Sequence, residues 1–341
     1  MFNLVALRNP PMIPGPITAS YLIAALAVPL VLHFHLLPAV FAGLAVHVLS
    51  VKLAHRLPLN WGGWAHKIAL ATIAILVISG LIGAIFGLLS FLHGKGGMPA
   101  LIATVADILE KLRQFLPAAV ADSLPDTVEE MHEPLADMLR EHGRKISAVG
   151  IAGVKTFAHV ILGMVVGGMT ALHQFDEIDR WPPFAAALRV RARALAAAFD
   201  KVVFAQVKIS ALNTFLTAIY LLVVLPLWGI HLPLLTVLIP LTFITGLLPV
   251  VGNLISNTVI VLISLGVSPG VAVASLLFLI VIHKLEYFTN AKIVGEEVHA
   301  KAWELLCAML FMETVFGMAG LVAAPVAYAW LKSEMKEKGL I

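Results

Sequence analysis

The chain has 341 residues, of which 60% are hydrophobic and only 13% are charged. Its mean hydropathy of +0.96 excludes a water-soluble globule, which carries about a quarter charged residues. The formal net charge of +3 is the modest basic excess of cytoplasmic membrane loops and points to no nucleic-acid partner.

Crossing a bilayer takes roughly 20 apolar residues in a helix. Runs of that kind occupy 17–32, 38–51, 66–92, 151–172 and 204–228. They are continuous and rich in Leu, Ala and Gly, without the alternation of barrel strands. The sequence therefore predicts an all-α polytopic membrane protein, multi-pass in the cell membrane.

Residues 1–92 read as N-terminal transmembrane scaffold helices. The first two form a hairpin that turns near HFHLLP, His33 to Pro38. No small-residue cleavage site follows the first run, so a retained span is expected rather than a cleaved leader. Lys52, His55, Arg56 and Lys67 cluster around the next turn, with Trp61 and Trp64 at headgroup depth. Basic turns face the cytoplasm. This puts the N-terminus inside and sends the third span outward.

Residues 93–145 hold more acidic than basic residues and carry apolar positions at helical spacing, with Pro117, Pro125 and Pro134 between segments. They read as an extramembrane amphipathic helical region outside the cell. Residues 146–203 return inward as a fourth span, followed by a cytoplasmic interfacial helix containing Trp181, Arg189, Arg191 and Arg193. Gly163 with Gly167 and Gly83 with Gly87 form small-xxx-small pairs. Such pairs permit close helix packing, but glycine is also simply common in membrane helices.

Residues 204–332 are the candidate transport unit, ahead of a cytoplasmic tail at 333–341. A fifth span, 204–228, runs outward. The stretch 232–266 is then interrupted by GLLPVVGN, Gly246 to Asn253. As one helix it would be about 50 Å long at about 1.5 Å per residue, too long for a core of about 30 Å. A re-entrant hairpin fits better. A sixth span occupies 269–290, and a second hairpin, 302–332, is divided by FGMAG. Lysines flank that hairpin on both sides, so both of its ends, and the C-terminus, belong in the cytoplasm. The expected fold has about five full transmembrane helices, a sixth before the last of two re-entrant hairpins, and an inverted repeat in the C-terminal half. Inverted repeats with broken helices are a transporter signature.

LLPVVGN, LEYFTNAKIVG (Leu285 to Gly295) and FGMAGLVAAPVAY (Phe316 to Tyr328) resemble the C-terminal blocks of the autoinducer-2 exporter (AI-2E) family of permeases. On that pattern Pro249, Gly252, Glu286, Lys292, Gly295, Gly317, Gly320 and Pro325 fall on characteristic positions. The sequence departs from it at Ala291, Ala302 and Glu313. The resemblance implies export or antiport, of a small polar furanone-type signal or, in some members, of sodium against protons. It also implies a homo-oligomer, with a pentamer as the first expectation.

The residues themselves nominate a site. Glu313, an acid inside an apolar run, is of the kind that marks ion or proton paths, though a neighbouring helix can also satisfy such a group. Asn253 and Asn257 lie one turn apart, with Thr242 and Thr245 on the incoming half of the hairpin. Asn213, Thr217 and Tyr220 form a polar stripe on the fifth span. Amides and hydroxyls of this kind suit a small polar solute or a monovalent cation, and equally suit interhelical hydrogen bonding. Glu286 and Asn290 lie near the inner end of the sixth span, where an interfacial ion pair of Glu286 with Lys284 competes with a binding role. Pro249, Gly252, Gly317 and Gly320 complete the candidate set at the hairpin breaks.

No metal centre is expected, because His33 and His35 have no third ligand in sequence. There is no phosphate-binding loop for ATP and no nucleophile elbow, so neither a cofactor nor an enzyme is expected. The function read from this sequence is secondary transport, exporter or antiporter, by elevator-like alternation and with proton or sodium coupling as options. The alternative is a non-transporting scaffold or regulator that presents 93–145 to a partner.

Overall fold

A computed structural model describes residues 14–58, 63–93, 152–173, 181–248, 251–298 and 301–341. The expected 93–145 region lies outside the described residues. Every described element is helical. Among the described residues, six helices are long and apolar enough to cross a membrane, judged by length and composition alone; one of the six, Trp303–Glu337, is interrupted at Gly317. Many of their large side chains face outward, among them Leu26, Ile75, Leu162 and Phe311, as lipid contact requires.

The chain divides into two compact units. One comprises residues 1–73, 156–202 and 300–341, and the other 74–155 and 203–299. The stretch expected as one transport unit, 204–332, is thus shared between them.

The first unit begins with α1 (Pro14–His33) and α2 (Leu37–Arg56). The turn between them is the expected one. Leu36 N donates to Val31 O at 2.8 Å and His35 N to Leu32 O at 3.1 Å, with His35 left-handed at φ 57°. These two bonds cap the carbonyls at the end of α1. Helix α3 (Gly63–His93) leaves this unit for the other.

Helix α4 (152–172) packs on α2 through the Gly163/Gly167 pair. A Cβ on Gly163 would sit 2.0 Å from Ala39 O, and one on Gly167 2.0 Å from Gly43 O. That pair is a packing seam. Gly83 and Gly87 meet nothing within 4 Å, so that spacing carries no contact among the described residues.

Helix α5 (Pro183–Ile219) corrects an expectation. The interfacial helix and the fifth span are one continuous helix, prolonged by a π-helical turn at Tyr220–Val224 and by Leu225–Leu227. The arginines and Asp200 mark a change in charge, but charge does not break a helix. The segment is Ala-rich and has neither Gly nor Pro between Phe184 and Leu225. It ends where Gly229 adopts φ 74° and Ile230 N bonds Leu225 O at 3.0 Å.

The second unit is built on the C-terminal part of α5. Helices α6 (Leu235–Gly246) and α7 (Val251–Val267) pack against each other as the two arms of the first hairpin. Helix α8 (Pro269–Val298) follows, with Ser268 Oγ accepting from Val271 N at 3.2 Å. Leu221, Leu225, Leu238, Ile260, Val271 and Leu279 form its buried core.

Helix α9 (Ala302–Glu337) is helical on both sides of Gly317, whose φ of 62° and ψ of −148° reverse the chain. Tyr328 Oη donates to Glu304 Oε2 at 2.6 Å, although 24 residues of straight helix would separate them by about 36 Å. The segment is therefore a helical hairpin, closed at its open end by Glu304, Tyr328 and Lys332. It packs against α1. Leu32, Leu37 and Ala323 form the buried centre of a cluster there, with Phe316 and Val322 against it.

Both hairpins use glycine in the same way. A Cβ on Gly252 would lie 1.8 Å from Thr245 O, and one on Gly320 1.9 Å from Met312 O. Each tip is closed by backbone against backbone. Gly252→Ala and Gly320→Ala should each destabilise the detergent-solubilised protein by about 1–3 kcal/mol or more through overpacking. Gly80→Ala, at a position with nothing within 4 Å, should be neutral or stabilising by about 0.5–1 kcal/mol. Thermal unfolding of the three variants checks the contrast, and equal effects would contradict it.

Candidate functional site

In the second unit, α5 presents Gln206, Ser210, Asn213, Thr217 and Tyr220 at intervals of one helical turn, all on one face. Gln206 Nε2 donates to Gly246 O at 2.8 Å, and Ser210 Oγ to Phe243 O at 2.7 Å. Asn213 Nδ2 donates to Asn253 Oδ1 at 3.0 Å. Higher on the same face, the Tyr220 hydroxyl meets Ser275 Oγ at 3.0 Å, and Ser275 meets Ser264 at 2.8 Å. The Tyr220 ring stacks on Phe278 at 3.9 Å.

These bonds satisfy the break. A helix ends with four carbonyls that have no partner of their own. In α6 they belong to Phe243, Ile244, Thr245 and Gly246. Ile244 O and Thr245 O accept from Leu247 N and Leu248 N, while Phe243 O and Gly246 O accept from Ser210 and Gln206. Gly246 must lack a side chain, since a Cβ there would stand 2.6 Å from Ser210 Oγ. Between the Asn213 and Tyr220 rungs lies Thr217, 1% exposed. Its hydroxyl and that of Thr214 have no hydrogen-bond partner among the described residues. The site thus offers amide and hydroxyl groups without a formal charge, in an apolar surround.

The structure brings Asn213, on the expected polar stripe, together with Asn253, a pairing the spacing does not single out. Asn257 follows one turn along α7 and is half-buried. Thr242 and Thr245 are buried, but their hydroxyls donate to Leu238 O and Leu241 O within their own helix. Gly252 forms the tip. Pro249 lies outside the described residues. Glu286 and Asn290 lie on the backbone of α8, and their side chains are likewise outside the description. Glu313, Gly317 and Gly320 belong to the α9 hairpin in the other unit. Glu313 is exposed there and makes no hydrogen bond or ion pair with a described residue.

Sequence reasoning missed Gln206 and Ser210, although they extend the 213–217–220 stripe by two turns. It also missed a buried cluster in the first unit. Arg191 and Glu334 form an ion pair with side chains only 4% and 7% exposed. The Arg191 guanidinium donates to Tyr21 Oη at 2.6 Å and lies over the Tyr21 ring, and Tyr21 Oη donates to Glu334 at 3.2 Å. The cluster ties α5 to α1 and to the second arm of α9. Its members are far apart in the chain, and no local pattern pairs them. Arg191, expected on an interfacial helix, has its guanidinium buried against a carboxylate.

Removing one partner of such a pair strands a buried charge, at a cost of about 3–5 kcal/mol. Glu334→Leu should lower stability by that amount. The double variant Arg191→Met with Glu334→Leu should recover most of it, since an apolar pair leaves no charge behind. Unfolding midpoints of the single and double variants test this, and a double loss equal to the sum of the single losses would contradict it.

Apolar helices of bilayer length, buried polar clusters and broken helical hairpins define a polytopic helical membrane protein. The chain belongs to the AI-2E family: the family model described as AI-2E family transporter matches residues 17–338. The chain is also similar to a protein of Bacillus subtilis (strain 168) named "Putative transport protein YdbI", at 31% identity over 135 residues. That match covers 39% of this chain and 37% of the relative, so the likeness spans little more than a third of either. No solved structure matches.

Proposed function

We propose that this chain is a secondary transporter, an exporter or antiporter, which moves a small polar solute or monovalent cation past the α5 polar face as the α6–α7 hairpin shifts. The observation that carries this reading is the way the hairpin tip is held. Side chains of α5 dock it through Gln206, Ser210 and the Asn213–Asn253 pair. Two buried hydroxyls, on Thr214 and Thr217, stand beside them without a partner among the described residues. Non-helical backbone inside a membrane is tolerated where protein or a watery cavity satisfies it, and such breaks are where transporters bind their cargo.

The arms of α6 and α7, 12 and 17 residues long, reach about 18 and 26 Å, short of a core of about 30 Å. That length supports re-entry rather than crossing. The shared glycine tips of the two hairpins support an inverted repeat of 204–266 with 269–332. Alternation is then elevator-like, with both termini cytoplasmic and a homo-oligomer, first expected as a pentamer, as the working unit. Coupling runs to protons or sodium, with Glu313 as the candidate carrier.

Flux into liposomes holding the purified protein, driven by a proton or a sodium gradient, tests the reading. Asn213→Ala and Asn253→Ala should each lower flux at least tenfold, and together by little more than either alone, because they act through one contact. Absence of gradient-driven flux in the wild type would overturn the reading in favour of a scaffold presenting 93–145.

A separate variant tests Glu313. Glu313→Gln keeps the size and hydrogen bonding of a protonated acid but cannot ionise. Flux should then lose its dependence on pH while the protein stays folded. Unchanged proton coupling would remove Glu313 from the mechanism and leave the α5 face as the site.

A further inference from the structure

The polar residues of α5 form more than one set of donors for the first hairpin. In the structure Gln206, Ser210 and Asn213 hold it, through Gly246 O, Phe243 O and Asn253. Four residues further along, each has a polar counterpart: Ser210, Thr214 and Thr217. Positions four apart lie on one face of a helix, so the same pattern of donors recurs one turn on. Two of the three counterparts are idle. The hydroxyls of Thr214 and Thr217 are buried and have no hydrogen-bond partner among the described residues.

Other threonines of these helices behave differently. Thr242, Thr258 and Thr314 each donate to the carbonyl one turn back in their own helix, the ordinary outlet for a helical threonine hydroxyl. Thr214 and Thr217 leave that outlet unused. A buried group left unpaired costs free energy, which a second arrangement that pairs it would recover. Helix α7 repeats its polar groups too. It runs in the same direction as α5, since Asn213 meets Asn253 and, further along both helices, Tyr220 and Ser264 share Ser275. Asn257 stands one turn beyond Asn253 and makes no hydrogen bond with a described residue.

We propose that the α6–α7 hairpin has a second register on α5, one helical turn or about 6 Å toward Tyr220, and that Thr214 and Thr217 position it there. In that register Ser210 takes Gly246 O, Thr214 takes Phe243 O and Thr217 takes Asn253. Asn257 comes opposite Tyr220 and replaces Ser275 as the partner of its hydroxyl. Each hairpin group released at one rung is received at the next, so the carbonyls of the break stay paired. Packed elements do move past one another by whole turns between discrete positions. The inference rests on the transport reading for its purpose, as the step that carries a solute. The second register itself is a property of the facing helices.

Cross-linking of the full-length protein in liposomes tests the register. The background is Cys307→Ala, which removes the single cysteine of the chain. Three pairs are compared: Asn213→Cys with Asn253→Cys, Thr217→Cys with Asn253→Cys, and Asn213→Cys with Asn257→Cys. The first matches the register in the structure, and the other two are the opposite diagonals of one turn. A short bis-methanethiosulfonate is the linker, and intact-mass spectrometry shows whether a single linker holds both thiols. The first two pairs should link, and the third at least tenfold more slowly than the second. No link in the second pair, or equal rates in the second and third, would overturn the proposal. Wild-type flux without the second link overturns the register alone, and the link without wild-type flux overturns the transport reading alone. Thr214→Val with Thr217→Val removes both hydroxyls and nearly keeps their shape. It should lower flux at least fivefold at unchanged thermal stability, because neither hydroxyl has a described partner in the structure. A loss of stability that accounts for the loss of flux would make the two threonines structural and overturn their positioning role.

Discussion

A backbone that breaks in an apolar surround must still pair its polar groups. In α6 this requirement falls on four carbonyls, and two of them accept from side chains of α5. Much else in the second unit follows from that. Helix α5 has to be long and unbroken to reach both the tip of the hairpin and the Tyr220–Ser275–Ser264 hydroxyl chain. Its polar residues have to fall on one face at one-turn intervals. Gly246 and Gly252 have to lack side chains, because Ser210 and Thr245 O occupy the space.

The same requirement is met in another way in α9. There the turn at Gly317 is tight and Gly320 rests on Met312 O, while Glu304 joins the arms at the far end. The first unit also carries its least water-compatible feature, the Arg191–Glu334 pair, with Tyr21 as an adapter that both accepts from the arginine and donates to the acid. A buried pair of this kind adds little net stability over an apolar one. What it specifies is which helices meet: α1, α5 and the last arm of α9.

How the first hairpin is held also bears on how it can move. Its tip is attached to α5 by side-chain hydrogen bonds, each worth a net of about 0.5–1.5 kcal/mol. Releasing three of them costs far less than unwinding a helix, and the rungs at Thr214 and Thr217 offer alternative hydroxyls on the same helix. On the transport reading proposed above, a shift of the hairpin would exchange polar partners without exposing backbone to hydrocarbon. The α2–α4 seam has no such freedom, because its contacts are between backbones less than a side chain apart.

Hydropathy, chain breakers and helical spacing alone determined the membrane class, the turn at His33–Pro38, the break in each hairpin segment and the polar stripe at Asn213. These are local properties: apolar length, glycine and proline placement, and helical spacing all act over a few turns. Family membership was legible from the blocks around Gly252, Gly295 and Gly317, and residues 17–338 match it. Only the tertiary structure decided the rest. It joined the interfacial helix to the fifth span, because a charged patch on an Ala-rich segment has no power to end a helix. It told the Gly163/Gly167 seam from the Gly83/Gly87 pair, which meets no described residue, because the same spacing has meaning only where another backbone lies against it. It turned Thr242 and Thr245 inward onto their own helix and drew Gln206 and Ser210 into the site. It paired Arg191 with Glu334 across most of the final half of the chain, a contact set by packing between distant elements, which no local spacing records.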